Sequence, residues 1–201
     1  MKPARERILD AAHELWLDVG LARTTTKEIA KAAGCSEAAL YKYYAGKEEL
    51  FTAVLHERLP KLRPLLDGLA AAPDADDRSV EQNLTEIARR ATLFYAESFP
   101  IAASLYAETK LKARHDATMR RQGTGPHVPI EALDAYLRVE RDAGRIRPDA
   151  DTFAAASLLL GACAQRAFAY DATVGARPPQ DVDTFAAALA RTLLAGLGRA
   201  G

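Results

Sequence analysis

The chain has 201 residues, 49% of them apolar and 27% charged, enough to bury a sizeable core and too apolar for a disordered chain. Its 27 basic and 27 acidic residues cancel, which removes the overall basic bias that would point to nucleic acid. Cys35 and Cys163 stand alone at a spacing that fits no metal motif and read as small buried apolar residues of a reduced protein.

Abundant alanine, few β-branched residues and no alternating run predict an all-α protein. The first helix carries Ile8, Leu9, Ala12, Leu15, Trp16 and Val19 on one face, with Gly20 as its C-terminal stop. No leader-like segment precedes this pattern, so a cytoplasmic protein is expected. Thr25-Thr26-Lys27-Glu28 is a capping box that opens a short helix, with Ile29, Ala30 and Ala33 facing inward and Gly34 ending it. Ser36 then caps a second short helix, Glu37 to Tyr44, in which Leu40 faces the core. Two brief helices joined by Gly34-Cys35-Ser36 follow the grammar of a helix-turn-helix. From Gly20 to Lys47 the local charge is +3 although the chain is neutral. A longer helix from Lys47 carries Leu50, Phe51, Val54, Leu55 and Leu59 until Pro60 and Pro64.

Residues 70–77 read as a linker, and Ser79-Val80-Glu81-Gln82 as another capping box. The helix it opens is expected to end at Pro100, with a further one from about Ile101 toward Thr118 and a loop over Gln122 to Pro126. Ile130, Leu133 and Leu137 mark a helix stopped by Gly144 and Pro148. Two final helices start alike, at Asp149-Ala150-Asp151-Thr152-Phe153 and Asp181-Val182-Asp183-Thr184-Phe185, and are expected to be capped alike. The helix over 153–170 is apolar around most of its circumference, through Phe153, Leu158, Leu159, Leu160, Cys163 and Phe168. It is either the central core helix of a monomer or covered on one side by a second subunit. Its most apolar stretch, Phe153 to Ala164, is shorter than the roughly 20 residues of a membrane span, so no membrane partner is expected.

Residues 20–50 resemble the DNA-binding domain of TetR-family regulators, through Thr24-Thr25-Thr26, Ile29-Ala30, Ala33-Gly34, Leu40-Tyr41, Tyr43-Tyr44, Lys47, Glu48 and Leu50. The resemblance implies a three-helix helix-turn-helix domain over 1–47 and a C-terminal helical ligand-binding and dimerisation domain over 48–201. It also implies a homodimeric repressor that binds a palindromic double-stranded DNA operator and is released by a small-molecule effector, apolar or amphipathic in character. The helices near 150–170 and 182–197 would pair the subunits.

Thr25 and Thr26 sit where hydroxyls, free amides and the helix dipole favour a phosphate, beside Lys27, although Thr25 is also accounted for as a cap alone. Glu37, Ala38 and Ala39 form the first turn of the helix expected to face bases. Ala39 departs from the family's usual threonine and can touch a thymine methyl without hydrogen-bonding; Glu37 can accept from cytosine N4 but is repelled by phosphate. Lys42 and Tyr43 project outward one turn on, Tyr41 and Lys47 correspond to phosphate contacts of the family, and Tyr44 reads as core.

The remainder of the chain offers less. Tyr95, Phe99, Tyr106, Met119, Tyr136 and Phe168, with His115 and Gln165 as polar partners, are candidates for an effector pocket, though each aromatic also reads as core. His13 and His56 fall on surface faces and form no metal set with His115 and His127, so neither a metal nor a cofactor is expected. No phosphate loop, nucleophile elbow or acid/base pair points to an enzyme. The competing reading is a helical interaction protein whose helix-turn-helix no longer binds DNA, and Ala38 and Ala39 are the residues that favour it.

Overall fold

The computed structural model describes residues 2–58, 65–66, 68, 78–106, 109–170 and 177–197. Pro60, Pro64, the 70–77 linker, Leu59 and the side chain of His56 lie outside the described residues. The helices are α1 (Ala4–Asp18), α2 (Thr26–Ala32), α3 (Glu37–Tyr41), α4 (Lys47–Glu57), α5 (Val80–Tyr106), α6 (Thr109–Gln122), α7 (Val128–Asp142), α8 (Thr152–Ala169) and α9 (Val182–Leu197). The protein is all-α, with no strand among the described residues. It divides into two units, one of residues 1–59 and 97–123 and the other of 60–96 and 124–201.

The first unit is built on Ile8, Leu9, Ala12 and Trp16 of α1, which bury the expected face against Ile29, Ala30, Ala33 and Leu40. Val19 is not part of it: the residue is 48% exposed, because α1 ends at Asp18 and Val19 caps it outside the packed turns. Gly20 follows at φ 89, the left-handed step that lets the chain turn back without a Cβ penalty. Leu50, Phe51 and Val54 of α4 lie in this same core. Packing therefore carries the first unit to the end of α4, beyond the 47/48 boundary drawn from the sequence.

Helix α5 runs straight through Pro100, correcting the expected stop, and the next helix starts at Thr109 rather than Ile101. A proline removes one backbone donor and crowds the preceding turn, but the hydrogen bonds on either side can carry the helix across it. The opening of α5 is as expected: the Ser79 amide donates to Gln82 Oε1 at 2.8 Å and the Gln82 amide to Ser79 Oγ at 3.2 Å.

The core of the second unit comprises Leu84, Ile87, Ala88 and Ala91 of α5, Leu133, Tyr136 and Leu137 of α7, the inner face of α8, and Ala186, Ala190 and Leu193 of α9. Its buried polar groups are paired in places a helical pattern does not reveal. Asn83 Nδ2 donates to Tyr136 Oη at 3.0 Å, and Thr152 Oγ1 donates to the Asp134 carboxylate at 2.6 Å. Burial pushes the Cys163 thiol up to about 11, whereas Cys35 is only half-buried.

The two similar helix starts are capped out of register. Asp151, the second aspartate of its segment, accepts from the Ala154 amide, while α9 is capped by the first, Asp181, through the Thr184 amide at 2.7 Å. Thr152 is committed to Asp134, and α8 starts two residues later than the echo would put it. Helix α8 spans 18 residues with mean hydropathy 1.2, long and apolar enough to cross a membrane by length and composition, contrary to the shorter span read from the sequence. Ala155, Ala156, Leu159, Leu160 and Cys163 nevertheless pack into the core of the unit, as a core helix of the protein does.

Candidate nucleic-acid interface

Helices α2 and α3 are too short to persist alone, so local hydrogen bonds and the first core must hold them. The Thr25 amide donates to Glu28 at 2.7 Å while the Glu28 amide donates to Thr25 Oγ1 at 3.2 Å, closing the capping box. Those bonds, the Thr25 amide foremost, hold the Glu28 carboxyl below its usual range, and Lys47 nearby acts in the same direction. At the other end Gly34 takes φ 64, with Gly34 N–H to Lys31 O at 3.1 Å and Cys35 N–H to Ala30 O at 2.9 Å. This is a Schellman closure, and it sets the turn between the two helices. Arg7 Nε of α1 donates to Ala33 O at 2.9 Å and pins that turn to the rest of the unit.

Ser36 Oγ accepts from the Ala39 amide at 3.1 Å and starts α3 as expected. The helix then stops at Tyr41, not Tyr44. Tyr44 is 3% exposed and belongs to the core, as read, and drawing it inward converts the last residues to a turn, with Tyr43 N–H bonded to Leu40 O. Leu40 and Tyr44 thereby anchor α3 from behind, while Ala38, Tyr41, Lys42 and Tyr43 are exposed and Ala39 half-buried. Thr25 and Lys27 are exposed at the start of α2, Thr26 is half-buried there, and Lys47 is half-buried at the start of α4.

Glu37 is engaged within the protein. Its carboxylate accepts from Thr26 Oγ1 at 2.6 Å, and Thr26 Oγ1 lies 3.3 Å from the Tyr41 hydroxyl. Nothing in the spacing of residues 26, 37 and 41 announces this link, because it joins two helices across the turn.

The eight effector-pocket candidates are split between the units. Phe99, Tyr106, His115 and Met119 fall in the first, and Tyr95, Tyr136, Gln165 and Phe168 in the second. Tyr106 and Phe168 are 67% and 64% exposed and Gln165 is also on the surface, so they do not line an enclosed cavity within their units. Tyr136 is a fully buried core residue held by Asn83, and His115 packs edge-on against Phe51 with ring centres 5.0 Å apart. Tyr95 packs on the core of the second unit, where burial raises its hydroxyl to about 12. A cleft of about 790 Å³ that sequence reading did not anticipate lies within the first unit, lined by Arg5, Tyr44, Thr52, Arg114 and His115 among others. No cluster of three metal-ligating side chains forms among the described residues.

A tight-turned pair of short helices, with an outward face of hydroxyls, lysines and small side chains and an inward face of Leu40 and Tyr44, defines a helix-turn-helix. Residues 8–54 match the family model described as bacterial regulatory proteins, tetR family. The N-terminal segment of the chain thus carries a DNA-binding domain of the tetR type. It is 48% identical over 59 residues to an HTH-type transcriptional regulator of Mycobacterium tuberculosis, an alignment covering 29% of each chain. It is 34% identical over 112 residues to the HTH-type transcriptional regulator BetI of Rhizobium meliloti, covering 55% of this chain and 54% of that protein. The chain thus spans about half the length, or less, of the curated relatives it matches. Its fold is similar along nearly its whole length to a TetR-family regulator of Mesorhizobium loti, with a TM-score of 0.70, 19% identity, and coverage of 98% and 97% of the two chains.

Proposed function

We propose that the protein is a cytoplasmic repressor that binds a palindromic operator as a homodimer and leaves it when a small apolar or amphipathic effector binds. The observation that carries this reading is the orientation of α3: Leu40 and Tyr44 fix it from the core side, leaving its opposite face free to enter a major groove. Thr25, Thr26, Lys27, Tyr41 and Lys47 are assigned to phosphates, and Ala38, Ala39, Lys42 and Tyr43 to the groove. With 27 charges of each sign in the whole chain, the attraction to DNA rests on the local +3 of this segment.

The outer face of α8 supports the homodimer. Phe153, Leu158 and Phe168 are 53%, 65% and 64% exposed around the small residues Ala154 and Gly161, a combination that favours close packing with a second copy.

Selection of bound fragments from random DNA, followed by affinity measured against salt, tests the reading. It expects an enriched palindrome and, in Lys47→Ala, a salt slope flatter by about one. Weak binding without enrichment would instead favour a helix-turn-helix that serves as an interaction module.

A further inference from the structure

We infer that Arg114, on α6 and outside the helix-turn-helix, is a further phosphate contact of the operator interface, a role that rests on the operator-binding reading above. Arg114 Nη1 donates to Glu48 Oε1 at 2.8 Å across 66 residues of chain, which brings the guanidinium to the first turn of α4, against the residue that follows Lys47. The Glu48 carboxylate itself folds back toward Gly46, its Oε2 lying 3.0 Å from where a side chain at Gly46 would begin. Arg114 is thus held at the same end of α4 as Lys47. It also borders the cleft whose walls include Tyr43 and Gly46, on the side of the unit where α3 gives way to α4.

Two properties set this arginine apart from a structural one. Its side chain is 72% exposed and that of Glu48 34%, and an ion pair so open to water adds little to folding. A guanidinium in that setting can trade its carboxylate for a phosphate, which fits the same planar fork. Charge points the same way. Residues 1–59 hold nine lysines and arginines against nine acidic residues, so the positive surplus of the unit comes from 97–123, with five against three. All five of those basic residues lie on α6, where the one acidic residue, Asp116, is paired with Lys112. Helix α6 is therefore a second source of attraction to DNA, and Arg114 is the residue through which it reaches the start of α4.

Affinity against salt, on the operator that the wild-type protein selects, tests the assignment in Arg114→Gln, Glu48→Gln and Arg120→Gln, with melting temperature measured alongside. Arg114→Gln should weaken binding about tenfold and flatten the salt slope by about one per subunit. It should leave the selected sequence unchanged, because phosphates carry no sequence information. Glu48→Gln breaks the same ion pair but leaves the guanidinium free for DNA, so it should bind as tightly as wild type or more tightly, with no flatter slope. Arg120, exposed on the same helix, is the charge control, and Arg120→Gln should keep the wild-type slope. Equal weakening by Arg114→Gln and Glu48→Gln would mean that the ion pair only holds α4 in place, and overturns the contact. An unchanged slope in Arg114→Gln, a loss shared by Arg120→Gln, or a loss that tracks a lower melting temperature overturns it as well. A wild-type protein that enriches no sequence overturns the operator reading itself, and the role of Arg114 with it.

Discussion

Glu86 on α5 accepts from Arg89 at 2.9 Å and Arg90 at 2.6 Å, a three-residue cluster one turn long. The bond from Arg89 is the largest influence and that from Arg90 adds to it, so the carboxyl falls from 4.5 to about 2 despite partial burial that works the other way. A carboxyl depressed in the folded state contributes stability that is present above its unfolded value, and that contribution is lost as pH falls through the folded one. The window here runs from about pH 4.5 down to about 2. Because the arginines are 38% and 43% exposed, solvent screening limits the contribution to about 1 kcal/mol. Melting temperature against pH should therefore fall less steeply in Glu86→Gln than in wild type across that window, and Glu86→Gln should melt lower at neutral pH. Parallel curves would show that the cluster is neutral for stability.

Among the helices, α2 is the one most completely determined by its own residues. Seven residues make a poor isolated helix, and it is the Thr25 capping box at one end and the Gly34 closure at the other that define it. Thr25→Ala should cost about 1 kcal/mol, read as a shift in denaturant midpoint, and Thr25→Ser should recover most of it. If serine fails to rescue, the capping hydroxyl is not what stabilises α2. Helix α3 is the contrast. Its start follows from Ser36, but its end at Tyr41 depends on where the core takes Tyr44, which periodicity cannot register. The helix through Pro100 teaches the same point, since a proline signals a local defect and long-range packing decides whether the helix survives it.

For the whole molecule, the decisive feature is the unequal packing of α8. One face is closed by its own unit, and the other presents Phe153, Leu158 and Phe168 to solvent. Leu158→Glu should shift the protein from dimer to monomer in sedimentation at micromolar concentration, since a charge there would be buried without a partner on association. The monomer should keep its helical content, because Leu158 is not part of the core of its unit. A dimer of unchanged strength would move the proposed interface off α8.

The amino-acid sequence by itself determined the helical class, both ends of α2, the start of α3 and the DNA-binding resemblance over residues 20–50. These depend on caps, turns and periodicity, which act within a few residues and so leave their signature in consecutive letters. Only the tertiary structure decided that Glu37 is tied to Thr26, that Thr152 is committed to Asp134, that α4 packs with the first core, and that the pocket candidates are divided between the units. Each of these joins residues distant along the chain, and a side chain able to serve equally as core, ligand wall or hydrogen-bond partner takes its role from whichever neighbour folding brings against it.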